Sequence, residues 1–328
     1  MANININLNL NSNSKSNTND GTTNNKKQLP PIPRIKVEAV MPKNIEETKC
    51  GPTLEFENGS CYPLELLVDM AEAFNKFNEE KGKDDRIILN SKEETLDPSN
   101  YKIYLLYEFK KRYNGDQKDL VKENFTKFMD GEKKDYMENN IFRPEGPQGK
   151  FEWLSTIDIN QVLKQYEEKY ADFLFLGAVP IDFDDLEYLP FKKLNFKKLK
   201  SDGIKRIGVI FNLDEHDKSG SHWVSMYSDL DKGQVYFSDS YAIPPEKRIS
   251  TFMKRISDYL EKEGMKCDVR HNKTRHQRGG SECGVYSINF ILRLLKGKTF
   301  EHITRKRLSD NKINKCRAIY FGNKMKSE

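Results

Sequence analysis

The stretch HQRGGSECGVYSINFILRLLKG, residues 276–297, decides the interpretation of this chain. Its second half is strongly apolar and ends at a glycine, which predicts a buried helix over residues 281–297. Cys283 lies in the first turn of that helix, where free N–H groups and the helix dipole stabilise a thiolate. Gly279 and Gly280 let the backbone approach a substrate closely. We therefore predict that Cys283 is a nucleophile and that the two glycines line its substrate site.

A base for that thiol is found upstream, in GSHWVSMYSDLDKGQVYFSDSY, residues 220–241. The segment is typical of a β-hairpin, and a four-residue loop over residues 229–232 would pair Ser228 with Gly233. In that register His222 lies directly opposite Asp239, so both side chains project from one face. A carboxylate placed there holds the imidazole in one tautomer. A slip by one residue would place the two side chains on opposite faces.

Gln277 lies in the loop that leads into the Cys283 helix, six residues before the cysteine. Its side-chain amide, together with the Cys283 backbone N–H, can form an oxyanion hole. Each residue also has a simpler interpretation: a cysteine at a helix start is commonly a buried small residue. Likewise, a His–Asp pair across a hairpin is commonly structural, and a lone loop glutamine is commonly solvated. The order His, Asp, Gln, Cys makes the catalytic interpretation the stronger one.

Around these motifs the pattern is mixed. Strands are predicted from apolar, β-branched and aromatic runs at residues 173–183, 204–213, 222–228, 235–240 and 267–272. Helices are predicted at 246–264 and after Ser155 or Thr156, either of which can serve as an N-cap. The fold class is therefore α+β, with a central, mostly antiparallel sheet flanked by helices.

The N-terminal half differs from this pattern. Residues 1–48 are predicted to be a disordered Asn-rich tail and linker, because such a polar tract buries too little apolar area to fold. Residues 49–148 are predicted to be a helical accessory domain, with helices at 63–80, 100–113 and 120–129. A cysteine-bearing domain then spans 149–318, and a short tail spans 319–328.

The bulk composition excludes several classes of protein. The net charge is only +5, so the chain is not a nucleic-acid binder by bulk charge. The run FKKLNFKKLK, residues 191–200, could contact nucleic acid or an acidic partner, although a solvated charged face is favoured. Five cysteines without a CxxC pair predict no zinc site, no disulfide framework and a reducing compartment. We expect no metal, no cofactor, no membrane span and no secretory signal.

Several of these segments resemble one known family. GSHW, FSDSY and HQRGGSECGVY are similar to the three signature segments of the adenain and SUMO-specific cysteine proteases, and WLSTIDIN is similar to the segment that borders their substrate channel. The resemblance covers about residues 153–316. It implies a cysteine protease in which His222, Asp239, Gln277 and Cys283 are catalytic. It also implies that Trp153 and Trp223 clamp a Gly-Gly stretch of substrate. The papain order is excluded, since it needs a histidine far downstream of the cysteine.

The resemblance is closest to proteases with which large DNA viruses mature capsid or core polyproteins, as in African swine fever virus. It implies a protein substrate cleaved after Gly-Gly-type sites, and a location in the virion and host cytoplasm. The Asn-, Lys- and Ile-rich composition suits a giant virus of amoebae. One alternative is removal of SUMO or ubiquitin-like tags from host conjugates, because the chemistry is identical. Another is an inactive protease that serves as a core scaffold.

Overall fold

The computed structural model describes residues 50–90, 96–147, 149 and 151–322. The predicted tail, residues 1–48, lies outside the described residues, as do the last six residues of the chain. The chain divides into two compact units. One contains residues 55–138, and the other combines residues 47–54 with residues 139–328. The sequence alone predicts this boundary at residues 148 and 149.

The first unit is helical in its described part. Its helices are α1 (Leu64–Glu80), α2 (Pro98–Arg112) and α3 (Gly131–Asn139). The helix predicted at 120–129 is wrong, because this region forms two 3₁₀ helices, Gln117–Lys122 and Asn124–Phe128. Glu123 between them has an extended backbone. The Thr126 hydroxyl donates to the Val121 and Glu123 carbonyls, and such bonds compete with the backbone ladder of a helix.

The second unit is built on a five-stranded sheet. Its strands, in both chain and spatial order, are β1 (Phe173–Pro180), β2 (Arg206–Asn212), β3 (Trp223–Asp229), β4 (Gln234–Ser238) and β5 (Asp268–His271). The central pairs β2–β3 and β3–β4 are antiparallel, as predicted. The edge pairs β1–β2 and β4–β5 are parallel, because a long crossover connects the strands of each pair.

Helices cover both faces of this sheet, which confirms the α+β class. They are α4 (Thr156–Lys169), α5 (Phe196–Ser201), α6 (Lys247–Lys262), α7 (Cys283–Leu295), α8 (Phe300–Thr304), α9 (Asp310–Asn314) and α10 (Arg317–Tyr320). Side chains of β3 alternate between two cores, as a strand buried on both faces requires. Trp223 and Tyr227 join the core under α4 and α7, while Val224 and Met226 join the core under α6.

The β3–β4 hairpin has a different register from the predicted one. Ser225 pairs with Ser238 and Asp229 with Gln234, so the four-residue loop is 230–233. The Asp229 carboxylate starts this loop by accepting the Asp231 and Lys232 N–H groups, and Gly233 ends it with a φ of +65°. The pairing is shifted by two residues. Because side chains alternate with a period of two, the predicted face of every residue is unchanged.

Candidate active site

His222 and Asp239 flank the open end of the hairpin. His222 directly precedes β3 and Asp239 directly follows β4, and in the observed register the two are diagonal rather than opposite. His222 Nε2 lies 2.7 Å from Asp239 Oδ1, which also accepts the Tyr241 N–H at 2.8 Å. Asp239 is buried, with 1% of its surface exposed. The predicted hydrogen bond therefore forms despite the register error.

A residue that the sequence analysis missed fixes the backbone of Asp239. The parallel ladder between β4 and β5 stops at Phe237 and His271, and Asn272 follows directly. Its side-chain oxygen accepts the Asp239 N–H at 2.9 Å, and its nitrogen donates to the Asp239 carbonyl at 2.7 Å. The amide thus replaces the missing backbone ladder at that position. A polar residue at the very end of a predicted strand was the available signal.

Cys283 is the first residue of α7 and is 2% exposed, and its side chain interacts with the His222 imidazole and raises the pKa of that ring. Because Asp239 occupies Nε2, Nδ1 is the ring nitrogen left for the thiol. Burial of His222 disfavours its charged form, but the hydrogen bonds to Asp239 and Cys283 outweigh it and raise the pKa of His222 from 6.5 to about 9. A protonated imidazole beside a thiol at a helix N-terminus is the arrangement that favours a thiolate–imidazolium pair.

Gln277 is completely buried, and its amide has a fixed orientation. Its Oε1 accepts the Ser240 hydroxyl at 2.5 Å, and its Nε2 donates to the Gly279 carbonyl at 2.9 Å. The Ser240 carbonyl in turn accepts the backbone N–H of Gln277 at 2.9 Å. Because Ser240 follows Asp239, one chain segment positions both the carboxylate and the amide. The fixed Nε2 has a second hydrogen that it can offer to a substrate oxygen.

The RGG loop, residues 278–280, is held from two sides. Tyr241 stacks on the His222 ring with centroids 4.8 Å apart, and its hydroxyl donates to the Gly279 carbonyl at 2.8 Å. The carboxylate of Asp310 accepts the backbone N–H groups of Arg278 and Gly279. A Cβ at Gly279 would lie 2.6 Å from the Glu282 carboxylate, whereas one at Gly280 would meet nothing within 4 Å. Gly280 therefore leaves open space beside the nucleophile helix.

The two tryptophans differ in exposure. Trp223 is 5% exposed and its indole N–H donates to the Leu154 carbonyl at 2.9 Å. Leu154 also packs on the start of α7, since a Cβ at Gly284 would lie 3.0 Å from the Leu154 Cβ. Trp153 precedes this anchor and is 51% exposed. The segment 153–154 thus connects the start of β3 with the start of α7, and it presents the Trp153 indole to solvent.

The remaining cysteines do not share this environment. Cys50 and Cys61 are disulfide-bonded, so the expectation of no disulfide was wrong. Cys267 and Cys316 are free, and burial raises the pKa of both thiols. Among the described residues no group of three or more His, Cys, Asp or Glu side chains is arranged to hold a metal. No described helix combines the length and apolarity that crossing a membrane requires.

This fold and this arrangement of side chains define a cysteine peptidase. Residues 195–326 match the C-terminal catalytic domain of the Ulp1 protease family, peptidase C48. A protein of Acanthamoeba polyphaga mimivirus, named putative thiol protease, is 39% identical over 281 residues, covering 84% of this chain and 93% of the relative. The chain therefore belongs to the Ulp1 family of cysteine proteases.

African swine fever virus provides a second relative. Its protein named SUMO-1 cysteine protease is 25% identical over 202 residues, covering 55% of this chain and 71% of the relative. A crystal structure of the African swine fever virus protease superposes with a TM-score of 0.57 at 17% identity, covering 84% of this chain and 96% of that one. The superposition shows that the two proteins share a fold.

Proposed function

We propose that this cysteine peptidase cleaves viral structural or core polyproteins after Gly-Gly-type sites, using His222, Asp239, Gln277 and Cys283. One observation carries the catalytic assignment. The His222 ring is hydrogen-bonded to the buried Asp239 carboxylate, and the nearby Cys283 side chain also raises the pKa of that ring. Among the described free thiols, Cys283 is the one that begins a helix and contacts a histidine paired with a carboxylate.

The geometry supports an acyl-transfer mechanism. The Cys283 thiolate attacks the substrate carbonyl carbon, and the new oxyanion accepts hydrogen bonds from Gln277 Nε2 and the Cys283 N–H, which has no partner inside the helix. The His222 imidazolium then donates its proton to the leaving amine as the C–N bond breaks. Neutral His222 next takes a proton from water, which attacks the thioester and releases the acid. Asp239 accepts the other ring N–H throughout and orients the ring.

The surroundings of the nucleophile support the proposed selection for Gly-Gly. Trp153 is half exposed on a segment that is anchored to Trp223 and to the start of α7. Gly279 and Gly280 precede that helix without side chains. We propose that the exposed indole and the RGG loop border a channel in which substrate residues bearing a Cβ are excluded. Trp223, being buried, would form the floor of this channel.

Cleavage of paired peptides tests this selectivity. The full chain should cleave a peptide with Gly-Gly before the scissile bond, and a Gly→Ala change at either position should abolish detectable cleavage. Cys283→Ala should be inactive. Trp153→Ala should lower the ratio of kcat/KM for the Gly-Gly peptide to kcat/KM for the alanine-substituted peptides by about tenfold. A packing contact of that size typically contributes about 1–2 kcal/mol. Tyr188→Ala, at an aromatic residue that is 74% exposed, is the matched control and should leave the preference unchanged.

Two comparisons support a viral precursor as the natural substrate, because both relatives described above are viral proteins. On this proposal the enzyme acts in the virion and the host cytoplasm. Incubation of the protein with purified core precursors of its virus should release fragments that end in Gly-Gly. If the precursors stay intact after prolonged incubation while the Gly-Gly peptide is cleaved in the same tube, the proposed natural substrate is wrong. The proposed catalytic mechanism is not affected by that result.

A second function is removal of SUMO-like tags from host conjugates, which the name SUMO-1 cysteine protease of the African swine fever virus relative favours. His222, Asp239, Gln277 and Cys283 would catalyse this isopeptide cleavage by the same mechanism. SUMO-1 carrying a C-terminal amidocoumarin distinguishes the two functions. Turnover of this reagent with a kcat/KM well above that of a Gly-Gly peptide would show that the folded tag is recognised. A kcat/KM equal to that of the peptide would favour precursor processing.

A further inference from the structure

Arg317 is the largest side chain in the described residues that is fully buried. It begins the short C-terminal helix α10, far in sequence from the four catalytic positions. Its guanidinium donates to three backbone carbonyls, Pro147 at 3.0 Å, Glu152 at 2.6 Å and Ser281 at 3.4 Å, and to the Asn314 side chain at 3.0 Å. Four of its five N–H groups are thus used inside the protein.

These carbonyls belong to the two segments that border the nucleophile. Glu152 directly precedes Trp153 and Leu154, whose carbonyl accepts the Trp223 indole N–H. Ser281 lies two residues before Cys283. Arg317 therefore joins the Trp153 segment to the residues in front of the nucleophile. The same segment is hydrogen-bonded to Trp223, the first residue of β3, which directly follows His222.

The charge of Arg317 is not balanced by a direct ion pair in the described part of the chain. Its acidic neighbour Glu282 is reached through Asn314, whose Nδ2 donates to Glu282 Oε1 at 3.2 Å. Burial lowers the pKa of Arg317, and the negative charges of Glu282, Glu152 and Cys283 oppose that effect. A buried cation without a direct partner is costly, so an anion that forms nearby is stabilised by it.

We propose that Arg317 is a positioning residue of the active site, which fixes the Trp153 segment against the nucleophile and favours the thiolate form of Cys283. The inference rests on the proposed role of Cys283. Removing the charge should make the thiolate form at higher pH.

Alkylation of Cys283 with iodoacetamide, followed across pH by peptide mapping, measures thiolate formation without any substrate. In Arg317→Met the midpoint should rise by about one pH unit, so that alkylation at any pH below the wild-type midpoint slows about tenfold. In Arg317→Lys the alkylation midpoint should stay close to the wild-type value, because the charge is kept. The KM for a Gly-Gly peptide should still rise, because an ammonium cannot bind all three carbonyls. Arg248→Met, at a side chain that is 41% exposed, should match wild type.

If Arg317→Met fails to fold, Arg317→Lys decides the test, because it keeps the charge but loses part of the carbonyl contacts. A KM and an alkylation midpoint that both equal those of wild type in every folded Arg317 variant would overturn the inference. If Cys283 in the wild-type protein reacts no faster than Cys267 or Cys316, the assignment of the nucleophile itself fails, which is a different result.

Discussion

Two His–Asp pairs lie within the same unit, and they differ in what surrounds them. His216 Nδ1 contacts Asp182 Oδ2 at 2.5 Å, and the His216 side chain is 53% exposed. His222, six residues further along, contacts Asp239 at 2.7 Å, and its side chain is only 12% exposed. The hydrogen bond to Asp182 raises the pKa of His216, so the first pair by itself resembles the second.

The difference is on the other side of the imidazole. His222 is partly buried and interacts with the Cys283 side chain, and Asn272 holds the Asp239 backbone, whereas His216 faces solvent. A raised histidine pKa and a carboxylate partner are therefore insufficient to mark a catalytic site. The thiol at a helix N-terminus and the buried amide of Gln277 distinguish the two pairs.

Replacing each histidine by alanine should give the largest difference in activity between the two pairs. His222→Ala should lower kcat/KM for a Gly-Gly peptide by about 10²–10⁴, the range typical of a lost general acid–base group. His216→Ala should stay within about twofold of wild type, because its partner is Asp182 and not the Cys283 site. Steady-state kinetics on both variants measure this contrast. Equal losses in the two variants would show that the effect is structural.

Gln277 tests the feature that the His216 pair lacks. Gln277→Ala should reduce kcat by about 10²–10³ with little change in KM, since the oxyanion exists only in the transition state. Burst-phase kinetics with a peptide ester would place the loss in the acylation step. A variant with near-normal kcat would show that the buried amide only supports the loop.

The pH dependence of activity compares the Asp239 carboxylate with the Asp182 carboxylate. The imidazolium of His222 persists up to about pH 9, because its pKa is raised from 6.5, so wild-type activity should fall as pH rises through that value. Asp239→Asn removes a stabilising charge, and the alkaline limb should move to lower pH with roughly a tenfold loss at about pH 8. Asp182→Asn is the matched control. If the alkaline limb of the pH–activity profile lies at the same pH in Asp239→Asn as in wild type, the role given to Asp239 is wrong.

Asn272 should give the smallest effect of these changes. Asn272→Ala leaves the Asp239 backbone without two hydrogen bonds, which typically costs about 1–3 kcal/mol of stability when the groups stay buried. We expect a lower thermal midpoint and a several-fold loss of kcat/KM. An unchanged midpoint by calorimetry would mean that the loop holds Asp239 without this clamp.

Local patterns were enough to predict the helix of Cys283, the strand that follows His222 and the hydrogen bond between His222 and Asp239. The hairpin register was predicted wrongly, because the Asx turn at Asp229 moved the loop by one residue. The side of the sheet predicted for the His222 side chain was still correct, because the strand pairing shifted by two residues. Asn272, Asp310 and Arg317 were missed because their roles depend on distant backbone atoms, and no spacing rule encodes such contacts.

The central claim is that Cys283 attacks the carbonyl carbon of the second glycine in a Gly-Gly site. A short peptide ending in Gly-Gly and a vinyl sulfone reacts only with an activated thiol that can bind this sequence. After incubation with the full chain, peptide mapping by mass spectrometry locates the adduct. The account predicts a single adduct on Cys283, formed faster than with an Ala-Ala reagent. An adduct on Cys267 or Cys316, with Cys283 left unmodified, would contradict it.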